Sequence, residues 1–80
     1  MAAIELLPEA LHDAQEAYHW YEGRAPGLGE EFMRCLDACL LSIRRTPLGF
    51  EKVKGNYRRA LVRRFPYAVF NAATKKKVVV

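Results

Sequence analysis

The chain has 80 residues, of which 51% are hydrophobic and 28% are charged, and its formal net charge is +4. A chain of this length forms one domain with a small core, and its apolar fraction predicts a folded protein instead of a disordered one. It has no apolar run of the roughly 20 residues that a membrane span needs, and its start lacks the basic residues typical of a signal peptide. We therefore expect one cytoplasmic domain over residues 1–80.

Charge is distributed unevenly along the chain. Residues 1–51 hold all nine acidic residues and four basic ones, whereas residues 52–80 hold nine basic residues and no acidic one. A basic half of this kind indicates an anionic partner, either a nucleic acid or an acidic protein segment.

The first half of the chain predicts a strand and two helices. A short apolar run at 3–7 is the expected strand, and Pro8 stands where the first turn of a helix accepts proline. This helix should extend to about Glu22, before the glycine- and proline-rich stretch 23–29, and a second helix is predicted from 28 to 45. The apolar stripe of the first helix consists of Leu11, Ala14, Tyr18 and Tyr21.

The second half changes to a strand-like pattern. The predicted strands cover 50–53, 57–65, 67–73 and 78–80, with a Gly-Asn turn signal at 55–56. Alternation along 57–65 directs Ala60 and Val62 toward the helices, with Arg58 and Arg64 at the ends of the same set. The element order β-α-α-β-β-β(-β) predicts an α+β fold, in which a helix hairpin packs on one face of a mostly antiparallel sheet.

Two segments resemble a known family of toxins. The stretches LPEALHDAQEAYHWYEGRAPGLGEEF at 7–32 and YRRALVRRFPYAVF at 57–70 are similar to the RelE/ParE superfamily of type II toxin–antitoxin systems, and most similar to its ParE, or plasmid-stabilisation, branch. The resemblance covers nearly the whole chain. It implies a RelE/ParE-like fold, growth inhibition through DNA gyrase, and neutralisation by a cognate antitoxin with an acidic C-terminal segment.

The chain departs from the family pattern in three respects. Ribonucleases of the RelE branch use basic residues with a tyrosine or histidine, several of them toward the C-terminus, and those C-terminal positions are not present here. Asn71 stands where members commonly carry an aromatic residue, and members usually continue through a complete last strand to a basic tail, whereas this chain ends at Val80. A shortened, inactive relative that retains only antitoxin binding is therefore an alternative expectation.

The candidate residues for binding a target or an antitoxin are seven of the nine basic residues of the second half together with one tryptophan. They are Arg58, Arg59, Arg63, Arg64, Lys75, Lys76, Lys77 and Trp20. Three interpretations of the basic residues stay open at this point. They form a solvated sheet face whose charges prevent strand aggregation, a surface for an acidic segment, or a contact with RNA or DNA.

The second alternative is an enzyme, a RelE-like ribosome-dependent mRNA endoribonuclease. Its weak catalytic candidates are Arg59, Arg63 and Tyr67. RNA cleavage must move protons, and arginine stays protonated, so it neutralises charge but transfers protons poorly. A protein that acts by binding, without a catalytic residue, is the main expectation.

The cysteine and histidine residues do not predict a metal site. Cys35 and Cys39 are four residues apart in a helical pattern, which suits neither a disulfide nor a complete zinc site, and we expect reduced, mostly buried thiols. His12 and His19 are seven apart, too far to hold one metal ion together. No metal and no cofactor is expected.

Overall fold

The computed structural model describes residues 1–74 and 76–80. The elements are β1 (Ala3–Glu5), α1 (Pro8–Arg24), α2 (Leu28–Arg45), β2 (Glu51–Lys54), β3 (Tyr57–Leu61), β4 (Ala68–Ala73) and β5 (Lys77–Val79). The strands form one sheet in the order β1-β5-β4-β3-β2, antiparallel except for the β1–β5 pair. The predicted α+β class, two helices on a mostly antiparallel sheet, is confirmed. No helix within the described residues is long and apolar enough to span a membrane.

The second helix provides most of the core. It buries Phe32, Leu36, Cys39 and Ile43, which recur every three to four residues and form one core cluster with Ala60, Val69 and Val78 of the sheet and with Val62, just after β3. Phe32 and Ile43 are completely shielded from solvent. Its predicted bounds, 28 to 45, are confirmed. Acidic residues stand in its first turn and basic residues in its last, as the helix dipole favours.

The first helix lies along α2 and buries no residue completely. The predicted stripe is right at Tyr21, whose ring centroid lies 5.0 Å from that of Phe32. It is wrong at Leu11, which stays 46% exposed because α1 rests on α2 and leaves its outer flank uncovered. The helix also continues two residues beyond Glu22, to Arg24.

A carboxylate joins the two helices. Gly27, at φ 86°, precedes α2 and has no side chain to cap the helix. The Glu22 carboxylate accepts hydrogen bonds from the backbone N–H of Gly27 at 3.0 Å and of Gly29 at 2.9 Å. A Cβ atom at Gly29 would lie 2.8 Å from the Tyr18 carbonyl oxygen, so the crossing requires glycine there.

Two strand predictions need correction. The strand predicted over 57–65 ends at Leu61, and the following residues turn, with Arg64 in the left-handed region at φ 70°. Ala60 and Val62 are buried as predicted, but Arg64 lies outside the strand because the chain turns before it. The first strand ends at Glu5 instead of residue 7, since the chain leaves the sheet there to enter α1.

The last strand is an interior strand of the sheet. β5 pairs with β4 on one side and with β1 on the other, and Val78 is fully buried between the sheet and the helices. The other strand boundaries lie within one residue of the predicted ones. The parallel pairing of β1 with β5 was not anticipated.

Candidate protein-binding surfaces

A groove lies between α2 and the turn that follows β3. Its volume is about 400 Å³, and three arginines, Arg34, Arg63 and Arg64, line it together with apolar atoms of Ala38 and Phe50. Arg34, Ala38 and Ser42 follow one another at intervals of four along α2, so they form one row on its surface. The small side chains of Ala38 and Ser42 leave room between α2 and the turn after β3. We call this feature the arginine groove.

The charge of the arginine groove is only partly compensated. The Arg64 guanidinium contacts the Glu31 carboxylate at 3.0 Å, in a pair whose arginine is largely exposed. Exposed ion pairs of this kind contribute little to stability, typically about 0–1 kcal/mol. Arg34 and Arg63 have no acidic partner within salt-bridge distance among residues 1–74 and 76–80. The groove therefore combines an apolar floor with uncompensated positive charge.

The turn that positions two of these arginines is strained. Arg64 adopts a left-handed backbone conformation, which costs a residue with a Cβ atom roughly 1–2 kcal/mol. A turn of lower energy was available with glycine at this position. Position 64 is instead an arginine, and the side chains of Arg63 and Arg64 both line the groove.

The second surface is the side of the sheet that no helix covers, which we call the open face. Tyr57, Leu61 and Phe70 point to this side, and Leu61 and Phe70 are 67% and 54% exposed. An ion pair lies on each flank of this apolar patch. Arg59 contacts Glu51 at 2.9 Å on the β2 side, and Lys77 contacts Glu5 at 3.0 Å on the β1 side.

The binding candidates from the sequence do not form one site. Arg63 and Arg64 line the arginine groove, whereas Arg59 and Lys77 lie on the open face in ion pairs. The guanidinium of Arg58 donates to the Phe50 carbonyl oxygen at 2.7 Å and so holds the β2 entrance in place.

The remaining candidates lie elsewhere. Lys76 is exposed just before β5, and Lys75 lies outside the described residues. Trp20 is 57% exposed on α1 and carries the Arg24 guanidinium over its ring at 4.4 Å. Neither Lys76 nor Trp20 lines the arginine groove.

The three candidates for RNA cleavage do not converge. Arg59 is on the open face, Arg63 is in the turn after β3, and Tyr67 is on the helix side, where its ring packs edge-on against Phe32 at 5.0 Å between centroids. Burial, followed by the nearby Asp13 carboxylate, raises the pKa of the Tyr67 phenol above its ordinary value. A raised pKa leaves less phenolate near neutral pH, which makes this side chain a poorer general base.

The sequence reasoning missed Arg34 and Phe50 as lining residues of the groove. Arg34 belongs to the acidic half of the chain, so an argument from blocks of charge overlooks it. The available signal was the row of Arg34, Ala38 and Ser42 at intervals of four on α2, an arginine followed by two small residues.

Asn71, which replaces the aromatic residue common in the resembled family, is buried in β4 with 1% of its surface exposed. Its Nδ2 atom donates weakly to the Val69 carbonyl oxygen at 3.4 Å, and no donor among the described residues reaches its Oδ1 atom. An unpaired buried polar atom costs about 1–3 kcal/mol, so this position reduces the stability of the core.

Both cysteines are free thiols, and Cys39 is buried as expected, whereas Cys35 is only half-buried. Burial raises the pKa of the Cys39 thiol, so it stays protonated. No group of three metal-ligating side chains occurs within residues 1–74 and 76–80. His12 lies 2.9 Å from the Glu16 carboxylate, on the exposed surface of α1.

Comparison with known proteins does not assign the chain to a family. No family model matches it, and no curated protein matches it.

Proposed function

We propose that this protein is the toxin component of a bacterial type II toxin–antitoxin system, similar to the ParE branch, and that it acts in the cytoplasm by binding another protein. The proposal starts from the resemblance of residues 7–32 and 57–70, and the element order and the sheet are compatible with it. DNA gyrase is the target that the resemblance implies.

The observation that carries the proposal is the arginine groove. Its apolar floor and two uncompensated arginines, Arg34 and Arg63, suit an acidic amphipathic segment of an antitoxin. Such a segment would place apolar side chains against Ala38 and Phe50 and carboxylates beside the arginines. An acidic segment of this kind is disordered when free and becomes ordered on binding.

Catalysis is the less favoured function. The three catalytic candidates lie apart from one another: Arg59 is paired with Glu51 on the open face, Arg63 lines the arginine groove, and Tyr67 packs on the helix side of the sheet. A RelE-like ribonuclease would need these groups to meet around one phosphate, with a residue able to transfer a proton. We therefore treat mRNA cleavage as an outcome of the test.

The toxin proposal is tested by expressing the chain in bacteria and assaying the purified protein. We expect growth arrest and inhibition of DNA supercoiling by gyrase, with no cleavage of mRNA in the ribosomal A site. Cleavage there would replace the proposal with the ribonuclease alternative. Normal growth, together with binding to an acidic segment, would support an inactive relative.

The groove is tested by matched charge reversals. The probe is an amphipathic helical peptide with leucines along one face and glutamates along the other. Isothermal titration calorimetry measures its dissociation constant. The double variant Arg34→Glu/Arg63→Glu should weaken binding by at least about tenfold, since like charges then face each other. The control Lys52→Glu/Lys54→Glu makes the same change in net charge on the exposed β2 strand and should have little effect. Equal losses in both variants would show that only the overall charge matters.

A further inference from the structure

We propose that a cleft between the start of α1 and β4 binds an extended segment of a partner protein, which adds to β4 as a short antiparallel strand and carries an apolar and a basic side chain in alternation. This cleft, which we call the β4 cleft, has a volume of about 230 Å³. It shares no lining residue with the arginine groove within residues 1–74 and 76–80. The proposal therefore does not depend on antitoxin binding or on toxin activity.

The first observation is an unpaired length of β4, although this strand is the middle one of five. β4 pairs with β3 from Ala68 to Ala72, but it pairs with β5 only at Ala72 and Ala73. In the described part of the chain, the edge on the β5 side is therefore open along Ala68, Val69 and Phe70.

A hydrogen bond from the Val62 N–H to the Tyr67 carbonyl oxygen identifies the backbone groups that face this open edge. Hydrogen-bonded residues alternate along an antiparallel pair, so Val69, two residues after Tyr67, also directs its backbone groups toward β3. Ala68 and Phe70 direct theirs toward the open edge, where they find no backbone partner among residues 1–74 and 76–80. Free donors and acceptors of this kind are a template for an added strand.

The second observation is the space beside this edge. The β4 cleft has mostly apolar walls, made by β4 on one side, by Leu7 and Ala10 at the start of α1 on the other, and by Leu36 and Leu40 of α2. Directly opposite residues of an antiparallel pair point to the same face of the sheet. Because Val69 points to the helix side and is buried there, the added residue opposite it would enter the cleft, where an apolar side chain fits.

The third observation is negative charge at the exposed side of the β4 cleft. Glu9 and Asp13 lie one turn apart on α1, both are exposed, and both line the cleft. Neither carboxylate has a basic side chain within salt-bridge distance among the described residues. Burial raises the pKa of the Tyr67 phenol most, and the Asp13 carboxylate raises it further, so Asp13 lies near this ring. An added residue opposite Tyr67 would therefore approach Asp13.

Together these observations define the occupant. An antiparallel segment continues the direction of β5 along β4, so it passes Val69 first and Tyr67 two residues later. The residue opposite Val69 should be apolar, and the one opposite Tyr67 should be lysine or arginine, beside the two free carboxylates. A nucleic acid or an acidic segment would be repelled by the same carboxylates, so the partner is a different one from that of the arginine groove.

The test is amide hydrogen exchange of the full chain, measured by NMR with and without a peptide. The probe is acetyl-Thr-Val-Thr-Lys-Thr-amide, in which valine and lysine alternate as required and threonine favours an extended chain. In the free chain, the N–H groups of Ala68 and Phe70 should exchange faster than that of Val69, which faces β3. Saturating peptide should slow exchange at Ala68 and Phe70 at least about tenfold and leave Val69 unchanged within about twofold.

Variants test the role of the carboxylates. Asp13→Lys should raise the dissociation constant of the peptide at least about tenfold, because it sets a like charge against the peptide lysine. The matched control is Glu16→Lys, the same change in net charge at an exposed residue of α1 that does not line the cleft, and its effect should stay within about twofold. Circular dichroism checks that each variant is folded, and Glu9→Lys replaces Asp13→Lys if that variant unfolds.

Several results would overturn the proposal. Slow exchange at Ala68 and Phe70 in the free chain would show that a second copy or another segment already covers this edge. Peptide binding without slower exchange there, or no binding at about 1 mM peptide, would exclude strand addition. Equal losses in Asp13→Lys and Glu16→Lys would mean that only overall charge matters. The double variant Arg34→Glu/Arg63→Glu should bind this peptide as the wild type does, which separates the result from the fate of the arginine groove.

Discussion

The two helices have similar lengths but different structural roles. α2 buries four side chains against the sheet, whereas α1 buries none completely. The contacts that hold α1 to α2 include the aromatic pair of Tyr21 with Phe32, the Glu22 carboxylate and the hydrogen bond that the Tyr18 hydroxyl donates to Glu30. The difference shows that an apolar stripe on a helix does not by itself state how deeply the helix is buried. Depth depends on how many neighbours cover the helix. α2 packs against both β3 and α1, whereas α1 has α2 as its main neighbour and borders β4 only across an open pocket.

The largest expected effect is at the centre of α2. Replacing Phe32 by alanine removes a fully buried ring that contacts Tyr21, Phe65 and Tyr67, and should lower the free energy of unfolding by about 3–5 kcal/mol. A domain of this size has roughly 4–12 kcal/mol in total, so the variant should be largely unfolded. On α1, Leu11→Ala should cost less than about 0.5 kcal/mol. Urea denaturation followed by circular dichroism measures both, and similar losses would contradict the contrast between the helices.

The next effect concerns the crossing of the helices. Gly29→Ala would place a methyl group 2.8 Å from the Tyr18 carbonyl oxygen, so the helices must separate. We expect a loss of about 2–3 kcal/mol, as for overpacking in a core. Gly23→Ala is the matched control, since nothing lies within 4 Å of its added Cβ atom. It should stabilise α1 by about 0.5–1 kcal/mol, through helix propensity. The melting temperature should fall in Gly29→Ala and rise in Gly23→Ala, and changes of the same sign would contradict the prediction.

A smaller effect is expected at the carboxylate that links the helices. Glu22→Gln keeps the shape of the side chain but weakens its charge-assisted hydrogen bonds to the N–H groups of Gly27 and Gly29, and should cost about 1–2 kcal/mol. Glu16→Gln, on the exposed side of α1, should cost less than about 0.5 kcal/mol. Hydrogen exchange should also speed up at the start of α2 in the first variant alone. Unchanged exchange there would mean that the carboxylate does not hold the junction.

The smallest effect is a dependence on alkaline pH. The folded state holds the Tyr67 proton more tightly than the unfolded chain does, because burial and Asp13 raise the pKa of this phenol above 10.0. This contribution to stability is therefore complete below the unfolded pKa and is lost as pH rises through the folded pKa. Unfolding free energies measured from pH 8 to 11 should fall less steeply in Tyr67→Phe than in Tyr57→Phe, the control on the open face. Equal slopes in the two variants would show that Tyr67 does not contribute to the pH dependence of stability.

Local patterns predicted most of the secondary structure. Pro8, the glycine-rich stretch at 23–29 and Pro47 bound the helices, and alternation identified Ala60 and Val62 as core residues. The end of β3 was missed because nothing about arginine indicates a left-handed conformation, which Arg64 adopts in the turn.

The binding surfaces were less predictable. The parallel pairing of β1 with β5 joins residues more than 70 positions apart, and no local pattern encodes it. The arginine groove combines Arg34 from the acidic half with Arg63 from the basic half, and only the fold brings them together. The sequence left three interpretations open for the basic residues of the second half, and it did not indicate that Arg59 and Lys77 pair with acids from neighbouring strands.

The pairing of β1 with β5 also has a consequence for synthesis of the chain. β5 is the strand that β1 pairs with, so the first strand has no sheet to join until residues 77–79 have been translated. At about 5–20 residues per second, that interval lasts roughly 4–15 s. Contacts between such distant positions also raise the contact order and slow folding. Throughout this period the helices and the β2–β3–β4 meander are available to other proteins, while the sheet that completes the domain is not yet formed.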